Sequence, residues 1–261
     1  MSMNGIDVSY HQGVIDWKKV AQSGIKFAMI RAGYGCNTVD KKFIENICGA
    51  HTAGLKIGIY WFIYANNEAE AIENADMCDR TIRLYKDIIT MKVAADFEYD
   101  SDAYSTRQGV RHTKESRTRI VKAFLERLKS KGYDVCNYAN PDYLKGKFGD
   151  LNEYPLWLAR YNVSMGDYKP WMWQYSSTGT VPGIDGNVDL NICFEEQETK
   201  IEYYPVPEIT LIDYLKKIDV DSTYANRKLI AIRNGISDYS GTAEQNLKLL
   251  DLLLSGKLIK R

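Results

Sequence analysis

Short apolar runs recur through the first two hundred positions, with amphipathic stretches between them. The runs are GIDVSY (5–10), KFAMIRAGYG (26–35), KIGIYWFIYA (56–65), MKVAADFEY (91–99), DVCNYAN (134–140), PLWLARYN (155–162), WMWQYSS (171–177) and NVDLNICF (187–194). Each has the length and character of a strand. Segments 15–24, 40–54, 67–85 and 113–132 carry apolar residues at helical spacing, and three of these four stop at a glycine. Strand and helix therefore alternate, as in a parallel sheet with crossover helices. After residue 150 the helices run out and the strands follow one another through turns such as TGTVPGIDG. The pattern predicts an α/β fold: an irregular, TIM-like (β/α) barrel with a helix-poor last quarter. A doubly wound open sheet is the competing arrangement, but no GxGxxG or Walker sequence follows a strand, so its nucleotide-binding form lacks a fingerprint.

The pattern changes at EYYPVPEIT (202–210), where two prolines spaced by one residue favour an extended segment. Beyond it, 208–219, 222–234 and 242–255 read as three short helices, the last two ending at glycines. The expected organisation is a barrel over 1–200, a linker at 201–207 and a small helical module over 208–261. About fifty residues bury little apolar surface alone. The three helices are expected to pack on each other, and the module on the barrel or on a second copy as a homodimer.

Composition narrows the partners. Lys plus Arg equals Asp plus Glu at 34 each, which leaves no excess charge for a phosphate backbone or an anionic membrane. No nucleic acid and no membrane partner is expected, and no apolar run reaches the length of a bilayer span. The N-terminal MSMNGIDVSYHQG has neither the basic head nor the apolar core of an export signal, so synthesis in the cytoplasm is expected. The five cysteines are scattered and odd in number, and read as reduced core thiols. No CxxC or histidine cluster points to a metal, and no cofactor is expected.

The chemistry concentrates in acids set inside apolar runs. In MKVAADFEYD (91–100), Asp96 and Glu98 are two apart on one strand, so they face the same side with Cα atoms roughly 6 to 7 Å apart. They lie at the end of the fourth run, the face on which barrel active sites are built. Two acids in one concave site oppose each other's ionisation, so one holds its proton while the other stays charged. Glycosidic cleavage needs that division. Asp7 in GIDVSY and Asp189 in NVDLN are further acids in apolar runs. Each alone could be a structural acceptor, but barrel closure sets the first and last strands side by side and brings them together. Aromatic residues near strand ends, among them Trp61, Tyr161, Trp171, Trp173 and Tyr175, could serve as plates for sugar rings or as core. DFEYDSD lacks the glycine and closing glutamate of a calcium loop, and RHTKESRTR reads as a solvated helix face.

Taken together, GIDVSYHQGVIDWKKV, FAMIRAGYG, DFE, YPLWLARY and WQYSSTGTVPGIDGNVDLN resemble glycoside hydrolase family 25, the lysozymes found often among phage endolysins. The resemblance covers about residues 3–195. It implies hydrolysis of the β-1,4 bond between N-acetylmuramic acid and N-acetylglucosamine in peptidoglycan glycan strands. It also implies that Glu98 is the general acid and that Asp96 stabilises the developing charge by orienting the substrate's own N-acetyl group. Asp7 and Asp189 complete the acid set, and Tyr60, Tyr64, Tyr138, Trp157, Gln174 and Arg31 are the candidate substrate-binding residues. The C-terminal segment resembles helical modules that end some endolysins of phages infecting Gram-positive bacteria, which implies a cell-wall ligand. That segment is near balanced in charge, with nine Lys plus Arg and eight Asp plus Glu over 201–261, so attraction to anionic wall polymers has to be specific. Rival expectations are a catalytically inactive wall-glycan-binding protein and a hydrolase of another amino-sugar polymer.

Overall fold

A computed structural model describes residues 2–194 and 211–260. Contacts divide the chain into two compact units, 1–196 and 197–261, described separately below. The expected linker at 201–207 lies outside the described residues.

The first unit is a closed barrel. Its strands are β1 (Ser2–Val8), β2 (Phe27–Tyr34), β3 (Thr38–Val39), β4 (Lys56–Phe62), β5 (Val93–Asp96), β6 (Val135–Ala139), β7 (Leu156–Ala159), β8 (Met172–Gly179) and β9 (Val188–Phe194). All eight runs read from the sequence are strands, and β3 is an addition that the pattern missed: two residues pairing antiparallel with the end of β2. Neighbours run β1-β9-β8-β7-β6-β5-β4-β2, and β1 pairs with β2 to close the ring. The sheet is not wholly parallel as expected. β9 runs antiparallel to both β8 and β1. The connection from β8 to β9 is too short to hold a crossover helix, and without one the chain can only double back.

Helices α1 (Trp17–Gln22), α2 (Phe43–Thr52), α3 (Glu68–Ile82), α4 (Tyr99–Arg107) and α5 (Lys114–Ser130) surround the first part of the barrel. Side chains of Asp16, Asn67 and Thr113 cap α1, α3 and α5 by accepting from backbone N–H groups of the first turn. The sequence pattern missed α4. Residues 97–99 read as the tail of a strand, but β5 ends at Asp96 and α4 begins at Tyr99, with Glu98 extended between them (φ −142°, ψ −160°).

Strand alternation divides the core into two layers. Ile6, Val8, Ala28, Ile30, Ile57, Ile59, Val93 and Ala95 face the helices and pack with Val20, Phe43, Ile47, Phe124 and Leu128. Phe27, Met29, Ala94, Cys136, Trp157, Met172 and Cys193 fill the barrel interior. Each fully buried Val, Ile, Leu, Phe or Met among them contributes about 1.5 to 3 kcal/mol. The interior is tight enough that a Cβ on Gly58 would stand 2.2 Å from the Met29 sulfur. The cysteines only partly match expectation: none forms a disulfide, and Cys78, Cys136 and Cys193 are buried, but Cys36 and Cys48 are exposed. Cys36 lies in the turn that joins β2 to β3, and Cys48 on the outer face of α2, where no layer covers it.

The second unit contains α6 (Leu211–Lys217), α7 (Tyr224–Arg233) and α8 (Ala243–Leu254), within the spans expected from periodicity. Leu211, Leu215, Ile230, Leu249, Leu253 and Leu258 form its core. Tyr239 is buried among them, donating to Asn246 Oδ1 at 2.7 Å and accepting from Arg227 Nε at 3.1 Å. Among the described residues no helix is long and apolar enough to cross a membrane.

Candidate active site

The parity that sends Phe27, Met29 and Ala94 into the barrel also sends Asp7, Arg31, Tyr60, Asp96, Tyr138, Trp157, Gln174 and Asp189 inward. Deep in the barrel that parity is filled by apolar residues, and at the mouth by polar ones. All eight line one cavity of about 180 Å³, together with Glu98, Phe62, Ser9, His11 and Gln12. Glu98 lies beyond its strand but keeps the inward parity, because the backbone stays extended through 98 before α4 starts.

Asp7 and Asp189 are direct partners across the β1–β9 ladder. Asp7 Oδ2 accepts from Gln174 Nε2 at 2.7 Å and from Asn191 Nδ2 at 2.8 Å. Their other ends are also engaged. Gln174 Oε1 accepts from the hydroxyls of Tyr138 (2.9 Å) and Tyr161 (2.7 Å), and Asn191 Oδ1 accepts from Trp157 Nε1 (2.9 Å). The Asn191 amide orientation is thus set by the Trp157 indole N–H, which can only donate. Burial, then the neighbouring Asp189 charge, pushes the Asp7 carboxyl well above the usual carboxylate range, and burial raises Asp189 as well. The Asp189 charge beside it opposes ionisation of Asp7, so the two carboxyls titrate as a pair.

Asp96 and Glu98 form the second pair. Asp96 is 6% exposed, and its Oδ1 is buried with no hydrogen-bond partner. Burial raises its pKa, followed by the charges of Glu98 and Asp7, against the opposing pull of Arg31. Glu98 is pushed up to about 7, first by burial and then by Asp100 and Asp189. Its backbone N–H donates to Ser101 Oγ (3.2 Å), which fixes the first turn of α4 against the acid. Farther along α4, Asp102 accepts from Arg117 Nε at 2.8 Å and from the Tyr143 hydroxyl at 2.7 Å. Arg117 is therefore no solvated face residue as RHTKESRTR suggested; its side chain is 16% exposed and braces α4.

The aromatic residues divide by parity. Tyr60 and Tyr138 pack edge-to-face with Trp157, at centroid distances of 6.0 and 4.9 Å, and the three floor the cavity. Trp61 and Trp173 have the opposite parity and point away, donating to the carbonyls of Gly35 and Arg160. Tyr64 lies past the end of β4 and is not among the residues lining the cavity. It stacks on Tyr104 at 4.8 Å and meets Tyr34 edge-on. Sequence reasoning missed Asn191, although its place two residues after Asp189 carried the parity signal. It also missed Asp40, the partner of Arg31, which a loop brings in and no local pattern announces. A larger hollow of about 970 Å³ lies against Asn137 and Leu156 on the outer face of β6 and β7, and none of the four acids lines it.

A closed α/β barrel with four carboxylates gathered at one mouth defines the class as a glycoside-hydrolase type of barrel. Residues 6–184 match the model of glycosyl hydrolases family 25, and the chain belongs to that family. It is 31% identical to the autolytic lysozyme of Clostridium acetobutylicum over 192 residues, 72% of this chain and 55% of that one. Its fold is similar to that of the modular autolysin LytC from Streptococcus pneumoniae, solved in complex with a synthetic peptidoglycan ligand. The TM-score is 0.66 and the identity 25%, over 74% of this chain and 47% of that one. The chain thus spans about half the length of these two proteins. A stretch of 47 residues is 51% identical to part of the L-alanyl-D-glutamate peptidase of Listeria phage A118, which is 18% of this chain and 17% of that enzyme.

Proposed function

We propose that the chain is a peptidoglycan muramidase that hydrolyses the β-1,4 bond between N-acetylmuramic acid and N-acetylglucosamine, acting as an endolysin on Gram-positive walls. The observation that carries this reading is the contrast between the paired acids: Glu98 titrates near 7, while Asp96 keeps a buried oxygen without a donor. Protonated Glu98 gives its proton to the glycosidic oxygen as the bond to the anomeric carbon breaks. Asp96 Oδ1 accepts the acetamido N–H at C2 and turns the acetamido carbonyl oxygen onto the anomeric carbon, forming a cyclic intermediate. Water then opens it, Glu98 taking the proton, and the muramoyl residue is left as the new reducing end. Asp7 and Asp189 hold substrate, and the charge of Asp189 helps to raise Glu98.

The helical module over 208–261 is proposed to attach the enzyme to a wall ligand, and the enzyme, made in the cytoplasm, to act once released to the wall. The support is a compact unit with its own core. Exposed Leu229, Ile232, Leu247 and Leu254 on α7 and α8 would serve a wall ligand or, as the second reading, a homodimer. Mass analysis of products from defined peptidoglycan tests the chemistry. New muramoyl reducing ends support it, and glucosaminyl ends or no products refute it.

A further inference from the structure

Four acids meet at the barrel mouth, and one cation lies among them. Arg31 points inward from β2 with its side chain 12% exposed, and its Nε donates to Asp40 Oδ2 at 2.8 Å. Asp40 is wholly buried at its side chain and is itself fixed, taking the backbone N–H of Tyr10 on Oδ2 (3.2 Å) and of Lys42 on Oδ1 (2.9 Å). The guanidinium carbon lies 5.0 Å from the Tyr10 ring centroid and 5.8 Å from that of Tyr34. Held by its Nε edge and two rings, the group is not free to turn and pair with an acid of the site. One donor, Nη2, is left buried without a partner.

Asp96 Oδ1 is buried and unpaired in the same cavity. A donor and an acceptor of opposite charge, both desolvated and neither bonded to the other, are costly until a third group joins them. That group has to offer an N–H to the carboxylate and an oxygen acceptor to the guanidinium. A muramoyl ring does so from adjacent carbons: its C2 acetamido carries the N–H, and its C3 lactyl ether carries a carbonyl or carboxylate oxygen. A glucosaminyl ring has the same N–H but only a hydroxyl at C3. Guanidinium donors favour the planar, electron-rich oxygens of the lactyl group.

We infer that Arg31, held by Asp40, is a specificity-determining residue that reads the lactyl oxygen at C3 and so selects a muramoyl over a glucosaminyl ring. This rests on the muramidase reading and names the group that reading leaves unassigned. The test is calorimetric binding to the full chain carrying Glu98→Gln, so that no ligand is consumed. One ligand is a tetrasaccharide of alternating N-acetylglucosamine and N-acetylmuramic acid without stem peptides, the other chitotetraose. With Arg31 present the muramoyl ligand binds the tighter; Arg31→Gln weakens it by about 10- to 100-fold and chitotetraose by less than about twofold, the loss of one charge-assisted hydrogen bond. Arg31→Gln strands a buried Asp40, so the pair Arg31→Gln/Asp40→Asn is measured beside it, with Arg31→Lys as a variant that keeps the charge and loses Nη2. Equal losses on both ligands, no initial preference, or an undiminished preference in these variants overturns the inference. Failure of the parent chain, with Glu98 intact, to make muramoyl reducing ends would overturn the muramidase reading instead, independently of the binding result.

Discussion

Replacing Glu98 by Gln separates the proton-donor role proposed for this acid from what it costs the fold. Glu98 is pushed from 4.5 to about 7, so about half of it carries a proton at pH 7 and about a tenth at pH 8, whereas an unshifted glutamate would be roughly 0.3% protonated at pH 7. Because the folded value lies above the unfolded one, the native state binds the proton more tightly, and stability falls as pH rises from about 4.5 to about 7. The full shift corresponds to about 3 kcal/mol, and partial solvent access to Glu98 lowers what is realised. Glu98→Gln keeps the shape and removes the charge. The expected result is loss of turnover at every pH, with denaturant stability higher than that of the parent chain at pH 8 and nearly equal at pH 4.5. For the parent chain, kcat/KM on soluble glycan fragments should fall along a basic limb with a midpoint near 7. An active Glu98→Gln enzyme, a limb centred near 4.5, or a variant no more stable than the parent chain at pH 8 would refute the reasoning.

The polar network under Asp7 sets a second expectation. Gln174→Met leaves the Tyr138 and Tyr161 hydroxyls without their acceptor and strips Asp7 of one donor, so urea unfolding should show a loss of about 3 kcal/mol and turnover should drop with it. A chain ended at Glu196 should keep its rate on soluble muramoyl oligosaccharides within about twofold while wall lysis falls by about tenfold or more, since attachment raises local concentration. Equal rates on walls would remove the attachment role. Gly49→Ala sets a Cβ 2.2 Å from Trp17 Cδ1 where α1 meets α2, and should cost about 1 to 3 kcal/mol in chemical denaturation without changing the pH profile.

Much of this molecule could be read from local pattern. Eight strand runs, four barrel helices and three module helices follow from apolar spacing and glycine stops, because burial on one face or both imposes the same period on the chain that it imposes on the structure. Asp7, Asp96 and Asp189 stood out because an acid inside an apolar run has to be explained. Helix α4 did not stand out: its sequence YDSDAYSTR has mostly polar residues, and only Ser101 and Ser105 are buried, so no apolar stripe marks it. The direction of β9 was also hidden, since a strand reads the same either way and only the short connection before it decides. Trp61 and Trp173 looked like sugar platforms until parity turned them outward.

By itself the chain's order of residues determined the alternation of strand and helix, the split into two units, the family, and which acids lie at strand ends, all being properties of neighbours in sequence. Tertiary structure alone decided that Gln174 and Asn191 lock Asp7, that Asp40 pairs with Arg31, and that Glu98 is pushed up to about 7. Those results come from desolvation and from charges brought within a few ångströms by chain closure. Both scale with distances between residues up to 184 positions apart, which local sequence pattern does not encode.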